Sequence, residues 1–187
     1  MLIQEIITEA DILVPNEVTT ADKVVVLNAL NQDFFNIVKI PKIVRFNAVQ
    51  GQAGYTLATD VREKNIDLVM VGLLKYRNLD NEVVNPTQNV FTFEDTDHEL
   101  TLSPAPYQTG LQGIVRSHRI ATTTFTTGGV GTQTPDAPTE YHWTFVPALA
   151  SFLAYSQDDA GKGGNYETQY KAGWSVAAQN YQKEGGT

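Results

Sequence analysis

Cysteine is absent from this sequence of 187 residues, which excludes disulfide bonds, a thiolate nucleophile and a cysteine-ligated zinc site. Long apolar runs are also missing. The stretch Leu68–Leu74 is typical of the longest ones and falls far short of the ~20 residues that cross a bilayer. The N-terminus has no basic flank before an apolar core, so we expect neither an export signal nor a membrane anchor, and synthesis in the cytoplasm.

Positive charge is scarce as well. The chain has 13 Lys and Arg against 21 Asp and Glu, a formal charge of −8, and charged residues make up only 18% of it. An acidic protein repels the phosphate backbone, so tight binding to nucleic acid is disfavoured. With 42% hydrophobic residues the chain can still form a core without metal or disulfides, as one domain with a possible subdomain.

Patterns that carry catalysis or bind metals are missing too. None of the histidines at 98, 118 and 142 belongs to a His-Glu-x-x-His pattern. The acidic run 95–99 begins like a calcium loop, but Leu100 stands where the loop requires glycine. Residues 161–164, Gly-Lys-Gly-Gly, lack the preceding strand and following Ser or Thr of a phosphate-binding loop. We therefore expect no catalytic residue, no cofactor, no metal and no enzymatic activity.

Two helices are predicted at the N-terminal end. Leu2–Ala10 has helical apolar spacing and ends before Pro15-Asn16. A second helix starts at an N-cap, Thr19 or Thr20, and ends before Pro41. Its predicted inner face consists of Leu27, Leu30, Phe34 and Ile37. The polar residues Asn28, Asn31, Gln32 and Asn36 are predicted to lie mostly on its wetter side.

The apolar period changes from helical to alternating at Ile43, where Val44, Phe46 and Ala48 share one face. The Gly-rich turn at 50–54 and a return strand at Tyr55–Leu57 predict a β-hairpin. Turns are predicted at 78–81 and 95–98. Further strands are predicted at Asp67–Tyr76, Asn89–Phe93, Glu99–Ser103 and Leu111–Ile120. Short strands at such spacing favour an antiparallel sandwich or a partly closed barrel.

The segment 121–137 has an unusual composition, with seven Thr, three Gly and only Phe125 and Val130 as sizeable apolar residues. It has too little apolar area to build a core of its own. One interpretation is a disordered surface loop; the other is a segment that orders only against a neighbouring subunit, as in β-augmentation. On the second interpretation the candidate intersubunit or tail interface is Thr122, Thr124, Phe125, Thr127, Val130 and Thr132.

Helical period returns after Pro138, with Phe145, Leu149, Phe152 and Leu153 on one face and Pro147 either beginning or kinking the helix. A Gly-rich link is predicted at Asp158–Asn165 and a fraying tail at 184–187. The last helix carries a predicted core aromatic stripe, Tyr166, Tyr170, Trp174 and Tyr181, with Ala177 between.

Together these patterns predict an α+β chain in which the N- and C-terminal helices pack together and the middle of the chain forms a central antiparallel β-sandwich or barrel-like subdomain. The helical part comprises residues 1–40 and 138–187, and the β subdomain comprises 41–120. Residues 121–137 form an extended loop between them.

Several short stretches resemble, in this order, the head-to-tail adaptor (connector or head-completion) proteins of tailed bacteriophages. Gly54–Val61 is similar to the family's close of a first hairpin, with Ala58 in place of the usual proline. Leu100–Pro106 resembles a strand that ends in Pro-x-Pro before the strand at Ile114–Arg119. Asp136–His142 is similar to the family's approach to its penultimate helix, and a last helix with Tyr166 and Tyr170 follows.

The resemblance, over residues 20 to 183, implies a virion protein at the head–tail junction: a twelve-fold homo-oligomeric ring beneath the portal protein. Such a ring docks tail-completion or tail proteins, and genomic DNA passes through it without tight binding; no membrane is involved. Three other hypotheses are compatible with the sequence. The protein is then a different phage tail-completion or terminator protein, a β-sandwich binding module such as one for carbohydrate, or an enzyme of unrecognised type.

Overall fold

The computed structural model describes residues 1–79 and 88–184, with the side chains of the last helix described as far as Gln182. The helices in these ranges are α1 (Ile3–Leu13), α2 (Thr20–Ile37), α3 (Phe145–Tyr155) and α4 (Ala160–Glu184). The strands are β1 (Pro41–Asn47), β2 (Gly54–Thr56), β3 (Ile66–Val71), β4 (Leu74–Asn78), β5 (Val90–Glu94), β6 (Glu99–Ser103) and β7 (Gln112–His118). Half of the predicted turn at 78–81 and most of the tail at 184–187 lie outside the described residues.

The chain divides into two compact units. The helical unit consists of residues 1–39 and 120–187, and the β unit consists of residues 40–119. Charge is divided unequally between them. The helical unit has five lysines, no arginine and twelve acidic residues, a formal −7, whereas the β unit has eight basic and nine acidic residues, a formal −1.

Both predicted N-terminal helices are present. Ile3, Ile6 and Ala10 lie on the buried face of α1. Thr19 is the N-cap of α2: its hydroxyl oxygen accepts a hydrogen bond from the Asp22 amide at 3.2 Å, which satisfies an amide that the helix leaves unpaired. The two helices are joined by the buried Lys23, whose ammonium lies 2.7 Å from an Asp11 carboxylate oxygen.

The inner face of α2 differs from the predicted one. Val24, Leu27, Asn31 and Phe34 are buried at successive spacings of three, four and three residues. Ile37, predicted on the core face, is 46% exposed instead. Asn31 can lie on the core stripe because its side-chain nitrogen and oxygen both hydrogen-bond to Asp136, as described below.

The predicted Gly-rich link at 158–165 is wrong in most of its length, because α4 begins at Ala160. The glycines allow α4 to approach α3 closely. A Cβ on Gly163 would lie 3.0 Å from the Tyr155 ring, and the Ser151 hydroxyl donates to the Gly163 carbonyl at 3.0 Å. Pro147 lies in the first turn of α3, where its missing N–H costs no helical hydrogen bond.

The core of the helical unit forms around Trp174 of the predicted aromatic stripe. The indole is 1% exposed, and its ring centroid lies 5.7 Å from Phe34, 6.1 Å from Phe145 and 4.8 Å from Tyr170. Its Nε1 donates to the Thr144 hydroxyl at 2.9 Å. The tyrosines of the stripe, Tyr166, Tyr170 and Tyr181, are only half-buried. Phe152, predicted on the inner face of α3, is 42% exposed.

The strands in the described residues form one sheet in the order β1-β7-β3-β4-β5-β6-β2. The predicted hairpin of β1 with β2 is wrong, because β1 pairs with β7 and β2 pairs with β6 at the opposite edge. Alternation within β1 is as predicted: Val44 and Phe46 face the core, whereas Ile43 is exposed. The alternating pattern identifies the strand and its faces but carries no information about its partner.

The predicted strand Asp67–Tyr76 is two strands, β3 and β4, joined by a tight turn. Gly72 makes this turn possible because its φ of +59° lies in the left-handed region that glycine adopts at no steric cost. Strands β4 and β5 run parallel, whereas the other pairs are antiparallel. The structure confirms the α+β fold class, with the β unit as a curled, mixed half-barrel sheet.

Candidate interaction surface

The Thr/Gly segment 121–137 is ordered within its own chain, against α1 and α2 of the helical unit. Phe125, predicted at an interface with another subunit, is instead 2% exposed and buried in this chain. Both sequence interpretations of the segment, a disordered loop and a segment ordered only by a neighbour, therefore need correction. The reason is a set of side-chain hydrogen bonds that its composition does not reveal.

Two asparagines of α2 hold the segment. The Asn28 side chain bonds the Phe125 backbone in both directions, donating to its carbonyl at 3.0 Å and accepting from its amide at 2.7 Å. Asn31, 1% exposed, accepts from the Asp136 amide at 3.1 Å and donates to the Asp136 carboxylate at 2.9 Å. Both side chains, predicted on the wetter side of α2, thus make hydrogen bonds within the protein.

Asp136 closes the segment at its C-terminal end. Its carboxylate accepts hydrogen bonds from the Thr122 and Thr123 amides, both at 2.8 Å, and from the Thr123 hydroxyl at 2.7 Å. Burial acts to raise the pKa of this carboxyl. The hydrogen bonds from Thr123, Asn31 and Thr122 outweigh burial, so that the pKa lies below its usual value. The carboxylate is therefore charged at neutral pH.

Gln133 organises the middle of the segment and connects it to α1. Its side chain accepts from the Thr126 amide at 2.9 Å and donates to the Thr124 carbonyl at 3.1 Å. Its own carbonyl accepts from the Ile3 amide at 2.9 Å, and the Val130 carbonyl accepts from the Gln4 amide at 2.9 Å. The segment thus supplies acceptors for first-turn amides of α1 that have no partner within the helix.

The remaining candidate interface residues form a neutral surface. Thr122, Thr124, Thr127 and Thr132 are exposed, and Val130 is half-buried. Their hydroxyls and methyl groups can make hydrogen bonds and dispersion contacts at little desolvation cost, since no ionised group has to leave water. The structure places these side chains on the surface of the helical unit, where a partner could reach them.

A second surface feature is a groove between α2 and α3, which the sequence analysis missed. Its volume is about 560 Å³, and it is lined by Glu17, Val18, Thr19, Asp22, Val25, Val26, Phe152 and Ser156. Val25 is 68% exposed there. The sequence contains no signal for this groove, because Phe152 was predicted on the core face and its exposure of 42% is seen only in the structure.

Several titratable side chains of the helical unit contact one another in the part of the chain that the structure describes. The clearest cluster lies on the surface, where the Tyr155 hydroxyl donates to Glu167 at 2.9 Å and Lys171 pairs with the same carboxylate. The hydrogen bond to Glu167 raises the pKa of Tyr155, which makes the phenol a poorer proton donor and leaves it uncharged. The cluster links α3 to α4.

The histidines have structural partners. His142 lies 2.8 Å from the Ala137 carbonyl, His98 lies 3.1 Å from Arg62, and His118 lies 3.3 Å from Asp67. The acidic run 95–99 forms the turn between β5 and β6, and Asp95 accepts there from the Glu63 amide at 2.9 Å. In residues 1–79 and 88–184 no group of three His, Asp or Glu side chains is placed to hold a metal ion.

No protein-family model matches this sequence, and no curated protein matches it significantly. Within the part of the chain that the structure describes, the helices are too short or too polar to cross a membrane.

Proposed function

We propose that this chain is a structural protein of a tailed bacteriophage particle, a head-to-tail adaptor that forms a ring beneath the portal at the head–tail junction. The observation that carries the proposal is the order of the family-like stretches and where they fall in the fold. Gly54–Val61 runs through β2 into the next turn, and Leu100–Pro106 ends β6 before β7. Asp136–His142 leads into the penultimate helix, α3.

One stretch departs from the family pattern in two respects. Ala58 stands in place of the usual proline, and β2 pairs with β6 rather than closing a hairpin with β1. The other stretches keep their expected positions at the end of a strand and ahead of a helix. Their order along the chain, rather than any one motif, supports the proposal.

The charge of the protein suits a ring around a DNA channel. The helical unit carries a formal −7 and no arginine. Acidic groups facing the channel would repel passing phosphates, so the ring would not retard genome ejection by binding DNA. The exposed threonines of 121–137 offer an uncharged surface for a neighbouring subunit or a tail protein.

The proposal is tested by measuring the mass of the purified protein alone and after mixing with the portal protein of the same particle. We expect a monomer or a weakly associated species alone, and twelve copies bound to the portal ring. A stable closed dimer that the portal leaves unchanged would contradict the proposal. Binding to tail tubes but not to the portal would favour the alternative function, a tail-completion or terminator protein.

A further inference from the structure

The tip of the β3–β4 hairpin presents a leucine to solvent. Leu73 is 96% exposed, more than the other large apolar side chains of the described residues. The tip is held firmly: Val71 pairs with Leu74, and the Gly72 amide donates to the Gln112 carbonyl of β7 at 2.9 Å. A large apolar side chain held in this way contributes nothing to its own fold and is suited to entering a pocket on a partner.

Basic side chains lie on the sheet face next to this tip. Lys75 follows Leu73 by two residues on β4 and is exposed, as is Arg77 further along the strand. The strand register aligns Lys75 with Met70, Met70 with Ile114, and Ile114 with the exposed Arg45 of β1. Among the described residues this face also carries acidic side chains. Asp67 lies 3.3 Å from His118, and Glu94 and Glu99 are on β5 and β6, further from the tip in the strand order.

The groove between α2 and α3 has complementary properties. Its centre is apolar, with Val25, Val26 and Phe152, and its charged lining residues, Glu17 and Asp22, are both acidic. A neighbouring hollow of about 240 Å³ shares Val26 and Phe152 with it and is bordered by Glu167. The groove is large enough for one leucine side chain and for the first methylene groups of a neighbouring lysine.

We propose that Leu73 of one copy inserts into the α2–α3 groove of the next copy, with Lys75 beside Glu17 at the acidic rim. The occupant is a second copy because each chain carries both a basic apolar tip and an acidic apolar groove. Different patches meeting in this way form a heterologous contact, which repeats from copy to copy and closes into a ring when the rotation permits. The inference depends on the proposed function only for the ring; the contact between two copies does not require it.

The absence of cysteine allows a direct test by cross-linking. Leu73→Cys and Val25→Cys variants of the full chain are purified separately, mixed at high concentration and treated with a short bis-maleimide. We expect a cross-linked dimer in the mixture, and none with either variant alone. The matched control replaces Val25→Cys by Ile12→Cys, because Ile12 is also 68% exposed in the helical unit but lies outside the groove lining.

Charge reversal gives a second readout on the same reaction. Adding Lys75→Glu to the Leu73→Cys chain should lower the cross-linking yield roughly two- to fivefold, the range typical of an exposed ion pair. Adding Glu17→Lys to the Val25→Cys chain should restore it. Both positions are exposed, so the melting temperatures should not change.

The outcomes separate this contact from the proposed function. Equal cross-linking with Val25→Cys and Ile12→Cys, a dimer of Leu73→Cys with itself, or no cross-link in the mixture would each overturn the contact. A ring that still assembles on the portal in that case leaves the adaptor function standing. A specific cross-link without portal binding would retain the contact and remove the adaptor function.

Discussion

At the scale of single residues, Asp136 joins the two ends of the Thr/Gly segment to α2. Because its pKa in the folded protein lies below the usual value, the carboxylate stabilises the fold above the pH at which the unfolded chain titrates, about 3.9. This stabilisation is lost as the pH falls through the folded-state pKa. Asp136→Asn should therefore lower the free energy of unfolding by about 2 kcal/mol at pH 7, and by less near pH 3.

Urea unfolding at the two pH values measures this difference. Glu140→Gln serves as the control, since it removes one negative charge from an exposed site shortly after the segment. If Asp136→Asn destabilised the protein equally at both pH values, the ionised carboxylate would not be the stabilising form.

Trp174 combines apolar packing with a buried hydrogen bond, and the two can be separated by substitution. Trp174→Ala removes the ring contacts with Phe34, Phe145 and Tyr170 and should cost about 3–5 kcal/mol. Trp174→Phe keeps an aromatic ring but loses the hydrogen bond to Thr144, so it should cost about 1–2 kcal/mol. Chemical denaturation followed by circular dichroism tests both values, and equal losses would show that the hydrogen bond dominates.

At the scale of elements, two glycines in regular structure should respond to alanine in opposite ways. Gly113 of β7 pairs with Phe46 of β1, and a Cβ there would lie 2.3 Å from the Phe46 ring. Gly113→Ala should therefore destabilise the β unit by about 1–3 kcal/mol. Gly164→Ala meets only the Tyr155 hydroxyl at 3.6 Å and should stabilise α4 by about 0.5–1 kcal/mol. Thermal melts of both variants provide the measurement.

The Thr/Gly segment allows folding to be separated from assembly. Its exposed side chains are altered in the double variant Thr124→Ala, Thr127→Ala, which leaves Phe125 and the Asn28, Asn31 and Gln133 anchors in place. We expect an unchanged melting temperature but fewer tailed particles in electron micrographs. Phe125→Ala, in contrast, should lower the melting temperature by removing a buried ring. Normal particle yields from the double variant would remove the proposed interface role.

Element positions were largely predictable from the sequence, whereas partners were not. The helices and strands follow from local period and from caps such as Thr19, because those signals lie within a few residues. The pairing of β1 with β7 joins residues about seventy positions apart, which no local pattern encodes. Asn31 was predicted as exposed for a similar reason: its partner, Asp136, is 105 residues away.

At the scale of the whole molecule, the formal charge of −8 predicts no appreciable affinity for duplex DNA at physiological salt. Fluorescence anisotropy with a labelled duplex measures this directly. The five arginines all belong to the β unit. Any residual DNA affinity should therefore decrease in the Arg45→Ala variant and stay unchanged in the Lys171→Ala variant. A salt-sensitive dissociation constant below micromolar would contradict the prediction, and with it the view of a channel that DNA passes freely.

The discontinuous make-up of the helical unit governs the order in which a nascent chain can fold. The β unit, residues 40–119, is continuous, and its ends meet where the Arg119 amide donates to the Ile40 carbonyl at 2.9 Å, so it can fold while synthesis continues. Helices α1 and α2 leave the ribosome before α3 and α4, on which they pack. At 5–20 residues per second, their apolar faces wait roughly 5–20 s for a partner. During that interval their exposed apolar faces make the nascent chain prone to aggregation.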